Sequence, residues 1–251
     1  CLPCMIFLDL ADTNIRQNFD APYIGFCFII TLISIVVIWF LAAKLMPDKS
    51  MVGAFVQGSY RSSAAILGVA FIQNIYGTSG MAPLMIIGSV PLYNIFAVII
   101  LTFTSSDADK KGIRKACIGV LTNPIIIGIV LGMIASFFNI KFPGMVKKTI
   151  SNMGVMTSPL ALISIGATFR GREALAKIKP TLGASFIKLI GLAAVFMPLA
   201  IYMGFRDQKL IALLIMLASP CTPASYIMAK NMDGDAELAS SIVVATTVLS
   251  A

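Results

Sequence analysis

Leu213-Leu-Ile-Met-Leu-Ala-Ser-Pro-Cys-Thr-Pro-Ala-Ser-Tyr-Ile-Met-Ala-Lys-Asn-Met-Asp-Gly-Asp-Ala-Glu237 is the stretch whose reading decides the fold. A strongly apolar helical run reaches Ser219, Pro220, Cys221, Thr222 and Pro223, then resumes as Ala224 to Lys230. Each proline removes a backbone donor and strips the partner from a carbonyl one turn earlier, so the helix must break or kink here. In water such a break marks a loop. At membrane depth an opened backbone survives only where protein or a water-filled cavity satisfies it, and secondary transporters build substrate sites in that way.

Composition places the chain in a bilayer. Of 251 residues, 58% are hydrophobic and 12% charged. Soluble domains are about 25% charged, so this chain lacks the polar surface to cover a globule. The expected class is an all-α polytopic membrane protein. The net charge of +8 lies in short basic clusters between apolar runs. That is the pattern of cytoplasmic loops and not of a nucleic-acid-binding face. The chain has no histidine, which excludes histidine-based catalysis and makes zinc sites improbable. Cys1 and Cys4 have the spacing of half a metal knuckle, but no second pair answers them, and they read as small packing residues. The opening Cys1-Leu-Pro-Cys4 and the stop at Ala251 inside an apolar run read as an N- and C-terminally truncated protein.

A span of the hydrocarbon takes about 20 apolar residues. On that measure a helix tail covers 1–10, complete segments cover 23–45, 51–75, 81–104, 116–138, 143–169, 181–203 and 209–231, and a truncated one covers 236–251. Alternate loops divide the bases unequally. One side holds Lys44, Lys49, Lys110, Lys111, Arg114, Lys115, Arg170, Arg172, Lys177, Lys179 and Lys230, while the other holds Arg16, Lys141, Lys147, Lys148, Arg206 and Lys209. The richer side is cytoplasmic by the positive-inside rule, and the expected location is the plasma membrane, crossed many times. The two halves also align: an offset of 157 places Gly77 on Gly234, Asn74 on Asn231 and Ser62 on Ser219. Leu2-Pro-Cys-Met-Ile-Phe7 matches Ser158-Pro-Leu-Ala-Leu-Ile163 near an offset of 156. An odd number of spans separates the copies, so they enter from opposite sides as an inverted repeat.

Candidate site residues follow from what is polar at depth. Arg61, in Gly58-Ser-Tyr-Arg-Ser-Ser63, lies well inside the 51–75 segment beside Gln57, Ser59, Ser62 and Ser63. A mid-bilayer arginine is costly and needs a cavity or a partner. It either holds a substrate carboxylate through its planar fork, or tethers helices, or snorkels to an interface. Ser219, Pro220, Thr222 and Pro223, with Ser225 and Tyr226, read as a substrate-lined break. The half-helix ends there offer amide donors to an anion or carbonyls to a cation. Asn123, before Pro124, reads equally as a helix cap and as a site residue. Lys188 is read as snorkelling, with a charge-compensating role as the alternative. Asp233, Asp235 and Glu237 read as a cap on the last helix, and Gly128 and Gly132 as a close-packing stripe. Ser164 and the Ser62-Ser63 pair have no base nearby, and no phosphate loop or nucleophile elbow is present, so no enzyme is expected.

Five motifs in order resemble the auxin efflux carrier family of membrane transport proteins. Ser219 through Ser240 resembles its ninth helix and the following turn. Tyr60-Arg-Ser-Ser-Ala-Ala-Ile-Leu-Gly-Val-Ala70 resembles its fourth, while Leu2 to Phe7, Asn123-Pro124 and Ser158 to Gly166 resemble its second, sixth and seventh. The resemblance implies inverted five-helix repeats with crossed broken helices, the fold of bile-acid symporters and sodium-proton antiporters. It further implies a scaffold domain, here 1–10 and 116–169, and a transport domain, here 22–104 and 181–251, moving as an elevator. Ser63 stands where the family pattern has Asn and Ala70 where it has Pro, so the first break is expected to be shallower than the second. The implied function is secondary transport of a small organic anion bound by Arg61, Ser62, Ser63, Asn123, Ser219, Pro220, Thr222 and Pro223, with no cofactor. Proton or sodium coupling, a different solute, a non-transporting receptor and a homodimer stay open.

Overall fold

The computed structural model of the chain describes residues 2–11, 20–64, 69–77, 81–104, 122, 124–138, 140, 142–168 and 176–250, and these are helical with short turns. In chain order the helices are α1 (Leu2–Ala11), α2 (Ala21–Leu45), α3 (Val52–Tyr60), α4 (Val69–Tyr76), α5 (Ala82–Thr104), α6 (Pro124–Phe137), α7 (Gly144–Val155) and α8 (Thr157–Thr168). They continue as α9 (Ile178–Phe186), a π-helical turn at Ile187–Gly191, α10 (Leu192–Tyr202), α11 (Asp207–Ala218), α12 (Ala224–Asn231) and α13 (Ala236–Leu249). Four continuous stretches, Ala21–Leu45, Ala82–Thr104, Gly144–Ala167 and Ile178–Tyr202, are long and apolar enough to cross a bilayer.

Helix α2 shows why a bilayer is the solvent. Tyr23, Phe26, Cys27, Ile30, Ser34, Ile38 and Ala42 recur at helical spacing and are buried. The opposite face is just as apolar, with Ile29, Ile33, Val37 and Phe40 exposed, Phe40 at 66%. A helix hydrophobic all round belongs in a core or a membrane, and an exposed apolar face belongs against lipid. Helix α5 is mostly buried and lies among α2, α3, α6 and α11, with Pro91 inside it. Around it run three apolar clusters: Tyr23, Ile35, Tyr60 and Met216 in one; Ile6, Leu101, Ile129 and Met228 in the second; Ala54, Tyr226, Leu238 and Ile242 in the third.

Helix α1 packs on α6 and α7. A Cβ placed on Gly128 would stand 2.9 Å from the Pro3 carbonyl oxygen, so the expected close-packing role of this glycine holds. The cap expected at the last helix also holds. Asp235 is the N-cap of α13, its carboxylate accepts from the Leu238 N–H at 2.9 Å, and Lys177 bridges it at 2.8 Å and Glu237 at 3.1 Å.

On the other side of the bundle Asp20 caps α2 by accepting from the Tyr23 N–H at 3.1 Å, and Lys209 of α11 pairs with the same carboxylate. The Lys209 ammonium, and then the Tyr23 N–H, hold the Asp20 carboxyl below the usual carboxylate range. The folded protein therefore binds this proton less readily than the unfolded chain does. The stabilisation is complete above the unfolded pKa and is lost as pH falls through the lower folded value. Asp20→Asn should destabilise by about 0.5–1 kcal/mol, a figure kept small because the pair is partly exposed. Thermal unfolding in detergent at about pH 7 and about pH 3 should show a smaller wild-type advantage at the lower pH. An equal advantage at both would contradict the assignment.

Candidate functional site

The second break is built by its prolines. Helix α11 ends at Ala218, Ser219 is extended with φ −77° and ψ 156°, and α12 restarts after Pro223. The carbonyl of Met216 would take its helical hydrogen bond from residue 220, which is proline and has no N–H. The carbonyl of Leu217 would take its own from Cys221, whose N–H goes instead to Thr246 Oγ1 at 3.1 Å. Thr222 starts the next turn, its carbonyl accepting from the Ser225 N–H at 3.0 Å.

The first break is built differently. Without any proline nearby, α3 ends at Tyr60, Arg61 is extended with φ −74° and ψ 132°, and Ser62 and Ser63 are non-helical. The partners that a helix would have supplied come from the second break. The Ser63 N–H donates to the Pro220 carbonyl at 3.1 Å, the Ser62 and Ser219 hydroxyls bond each other, and Ser62 Oγ reaches the Ile215 carbonyl at 3.4 Å. Ser62 and Ser219, aligned by the sequence offset, are thus in contact. Each break satisfies backbone that the other leaves open.

Lys188 supplies further donors beside the Tyr93 hydroxyl, which reaches the Met216 carbonyl at 3.5 Å, and this corrects the snorkelling expectation. It is 0% exposed. Its ammonium donates to the carbonyls of Leu217 at 2.9 Å, Met216 at 3.1 Å and Tyr60 at 3.5 Å. The last carbonyls of α11 and of α3 are the negative ends of two helix dipoles, so a single cation neutralises both. The π-helical turn Ile187–Gly191 carries Lys188 at this point of the span.

Arg61 is 3% exposed and faces the other way. Its guanidinium donates to Asn94 Oδ1 of α5 and to Gln57 Oε1 at 3.4 Å, and it contacts the Met228 sulfur of α12. Asn94 is oriented for this by donating its own amide to the Val90 carbonyl at 2.9 Å. The Gln57 amide nitrogen, buried beside the guanidinium, has no acceptor among the described residues. Every acidic side chain that the structure describes, Asp20, Asp48, Asp207, Asp233, Asp235 and Glu237, is at least partly exposed. Arg61 and Lys188 are therefore buried cations whose hydrogen-bond partners are neutral.

Of the site residues expected from sequence, Ser62, Ser63, Ser219 and Pro220 come together. Arg61 projects from the same point toward α5 and α12. Thr222 and Pro223 form the start of α12, and Asn123 lies outside the described residues. Sequence reading missed Asn94, a lone amide in an apolar span, and Thr246, whose signal was weaker still.

An apolar-faced helical bundle with two spans opened around buried polar groups is a polytopic, membrane-embedded protein of the kind that transports solutes. The chain belongs to the auxin efflux carrier family: the family model described as membrane transport protein matches residues 1–251. Among curated proteins no match is found.

Proposed function

We propose that this membrane transporter is a secondary carrier or facilitator of a small organic anion, with its site at the meeting of the two breaks. The observation that carries this reading is Arg61, a buried cation with only neutral partners, beside the unmatched Gln57 amide donor. A buried charge without a counter-charge is costly, and an entering carboxylate supplies both the charge and the missing acceptor. Lys188 adds a second positive centre while holding the backbone of the breaks in place.

The contacts between Ser62 and Ser219 and between Ser63 and Pro220 support inverted five-helix repeats with crossed broken helices. In that reading 1–10 with 116–169 forms the scaffold, and 22–104 with 181–251 forms the transport domain that slides along it, carrying the anion across the plasma membrane. Reconstituted into liposomes, the protein should take up small carboxylates saturably and leave their neutral amides outside. Uptake of amide and acid at equal rates would sink the anion reading. Imposed sodium or proton gradients in the same liposomes separate a coupled carrier from a facilitator.

A further inference from the structure

The carbonyl oxygens of Tyr60, Met216 and Leu217 converge on one point inside the bundle, and Lys188 Nζ occupies it. Unwound carbonyls and half-helix C-terminal ends are what transporters use to coordinate a small cation at the middle of the bilayer. Such ions exchange their hydration shell for backbone oxygens, and the partners of this ammonium are backbone oxygens. A carboxylate partner would make an ordinary ion pair. Three fixed carbonyls instead recognise a compact positive charge, whether it is free or carried on a side chain, and a lysine ammonium is such a point charge.

The alignment of the two repeats explains why one charge suffices. The offset of 157 carries Ala21–Leu45 onto Ile178–Tyr202 end for end. It also carries Tyr60 onto Leu217 and Ser59 onto Met216. Two of the three carbonyls are thus the same position in both repeats, and an ammonium that touches both lies beside the axis relating them. The Ser59 carbonyl resembles that of Met216 in its loss of a helical donor, because the Ser63 N–H goes to Pro220. The equivalent of Lys188 is Thr31 of α2. Thr31 is 3% exposed, and its hydroxyl has no hydrogen-bond partner among the described residues. A lysine at that position would approach the same carbonyls from the other repeat, and two ammoniums at one centre repel each other. One repeat supplies the charge and the other a neutral residue.

We infer that the crossing of the two breaks is a monovalent-cation site that this chain fills with its own Lys188 ammonium, so that transport needs no dissolved sodium or potassium there. With the side chain cut back, the same carbonyls take an alkali ion. The site stands on its three hydrogen bonds and the repeat alignment, while the consequence for transport rests on the carrier reading.

Thermal unfolding in one detergent, with sodium, potassium or choline chloride at equal ionic strength, tests the site. The wild type should unfold at the same temperature in all three. Lys188→Ala should gain about 3 °C or more in sodium or potassium over choline, because an ion bound only by the folded state raises its midpoint. Lys188→Met, whose side chain fills the space, should gain nothing. A second set keeps side-chain length constant and moves only the charge. In the Lys188→Met background Thr31→Lys should be more stable than Thr31→Met, and with Lys188 retained that order should reverse. This pair of comparisons decides the matter if Lys188→Ala does not fold. An alkali response in the wild type, or none in a folded Lys188→Ala, overturns the inference. The same order of Thr31→Lys and Thr31→Met in both backgrounds overturns it as well. In liposomes, wild-type uptake of a labelled small carboxylate should be equal with sodium, potassium or choline outside, and a dependence on either alkali ion would also overturn it. Absence of uptake in all three salts defeats the carrier reading, and the unfolding results then decide the site by themselves.

Discussion

Lys188→Met should lower the stability of the folded protein by about 2–4 kcal/mol, a loss well above that of an ordinary lipid-facing substitution. Methionine fills a similar volume and removes the cost of burying an ammonium, and that part favours the variant. Against it stand the carbonyls of Met216, Leu217 and Tyr60, which accept from Lys188 in the wild type. For Met216 and Leu217 the ordinary helical donors are absent, because residue 220 is proline and the Cys221 N–H is committed to Thr246. The Leu217 carbonyl would be left open at a cost of about 1–3 kcal/mol, the Met216 carbonyl would keep only the Tyr93 hydroxyl at 3.5 Å, and two negative helix ends would face each other unshielded, so the loss outweighs the gain. Pro220→Ala returns an N–H to the Met216 carbonyl. The Lys188→Met loss should therefore shrink in the Pro220→Ala background, a non-additivity that independent sites do not show. Thermal unfolding of the four proteins in one detergent reads both effects. An unchanged midpoint in Lys188→Met would mean that the ammonium is not holding the breaks.

The four long spans were legible in the sequence to within a few residues, while the start of the expected 116–138 span lies outside the described residues. Apolar runs bounded by basic clusters leave little choice, and α2, α5 and the Gly144–Ala167 stretch fall where composition puts them. The second break was legible because proline chemistry is local: two missing N–H groups mark two broken rungs whatever surrounds them. The first break was found by its alignment with the second, and its cause was not legible. Its cause is not local. Ser63 leaves the helix because the Pro220 carbonyl is open, and no feature within 51–75 records that. Lys188 was misread for the same reason. The unpaired carbonyl at Met216 can be deduced from Pro220, but which side chain answers it depends on how α9 and the π-helical turn pack against α3 and α11. Asn94 carried a readable signal, since an amide inside an apolar span needs a partner and Arg61 needed an acceptor. Ser164 was weighed only as a nucleophile without a base, Tyr226 as lining the second break and Lys230 as a loop base, and only the contact of α8 with α12 joins them.

Arg61→Ala should abolish anion transport, with uptake at least about 100-fold below wild type, while the protein still folds. The side chain leaves behind the Asn94 and Gln57 carbonyls, both neutral, and it relieves a buried charge, so stability should change far less than transport. Arg61→Lys should keep part of the activity, since it retains the charge and loses the planar fork that two-point carboxylate binding uses. The comparison that bears most directly on the whole account is initial uptake of a labelled small carboxylate by wild-type and Arg61→Ala protein in matched liposomes. Equal reconstitution is established beforehand by gel filtration and thermal unfolding. The account predicts saturable uptake in the wild type and background uptake in the variant. Equal uptake by both would contradict it, because the anion would then cross without the buried Arg61 guanidinium, whose partners are all neutral.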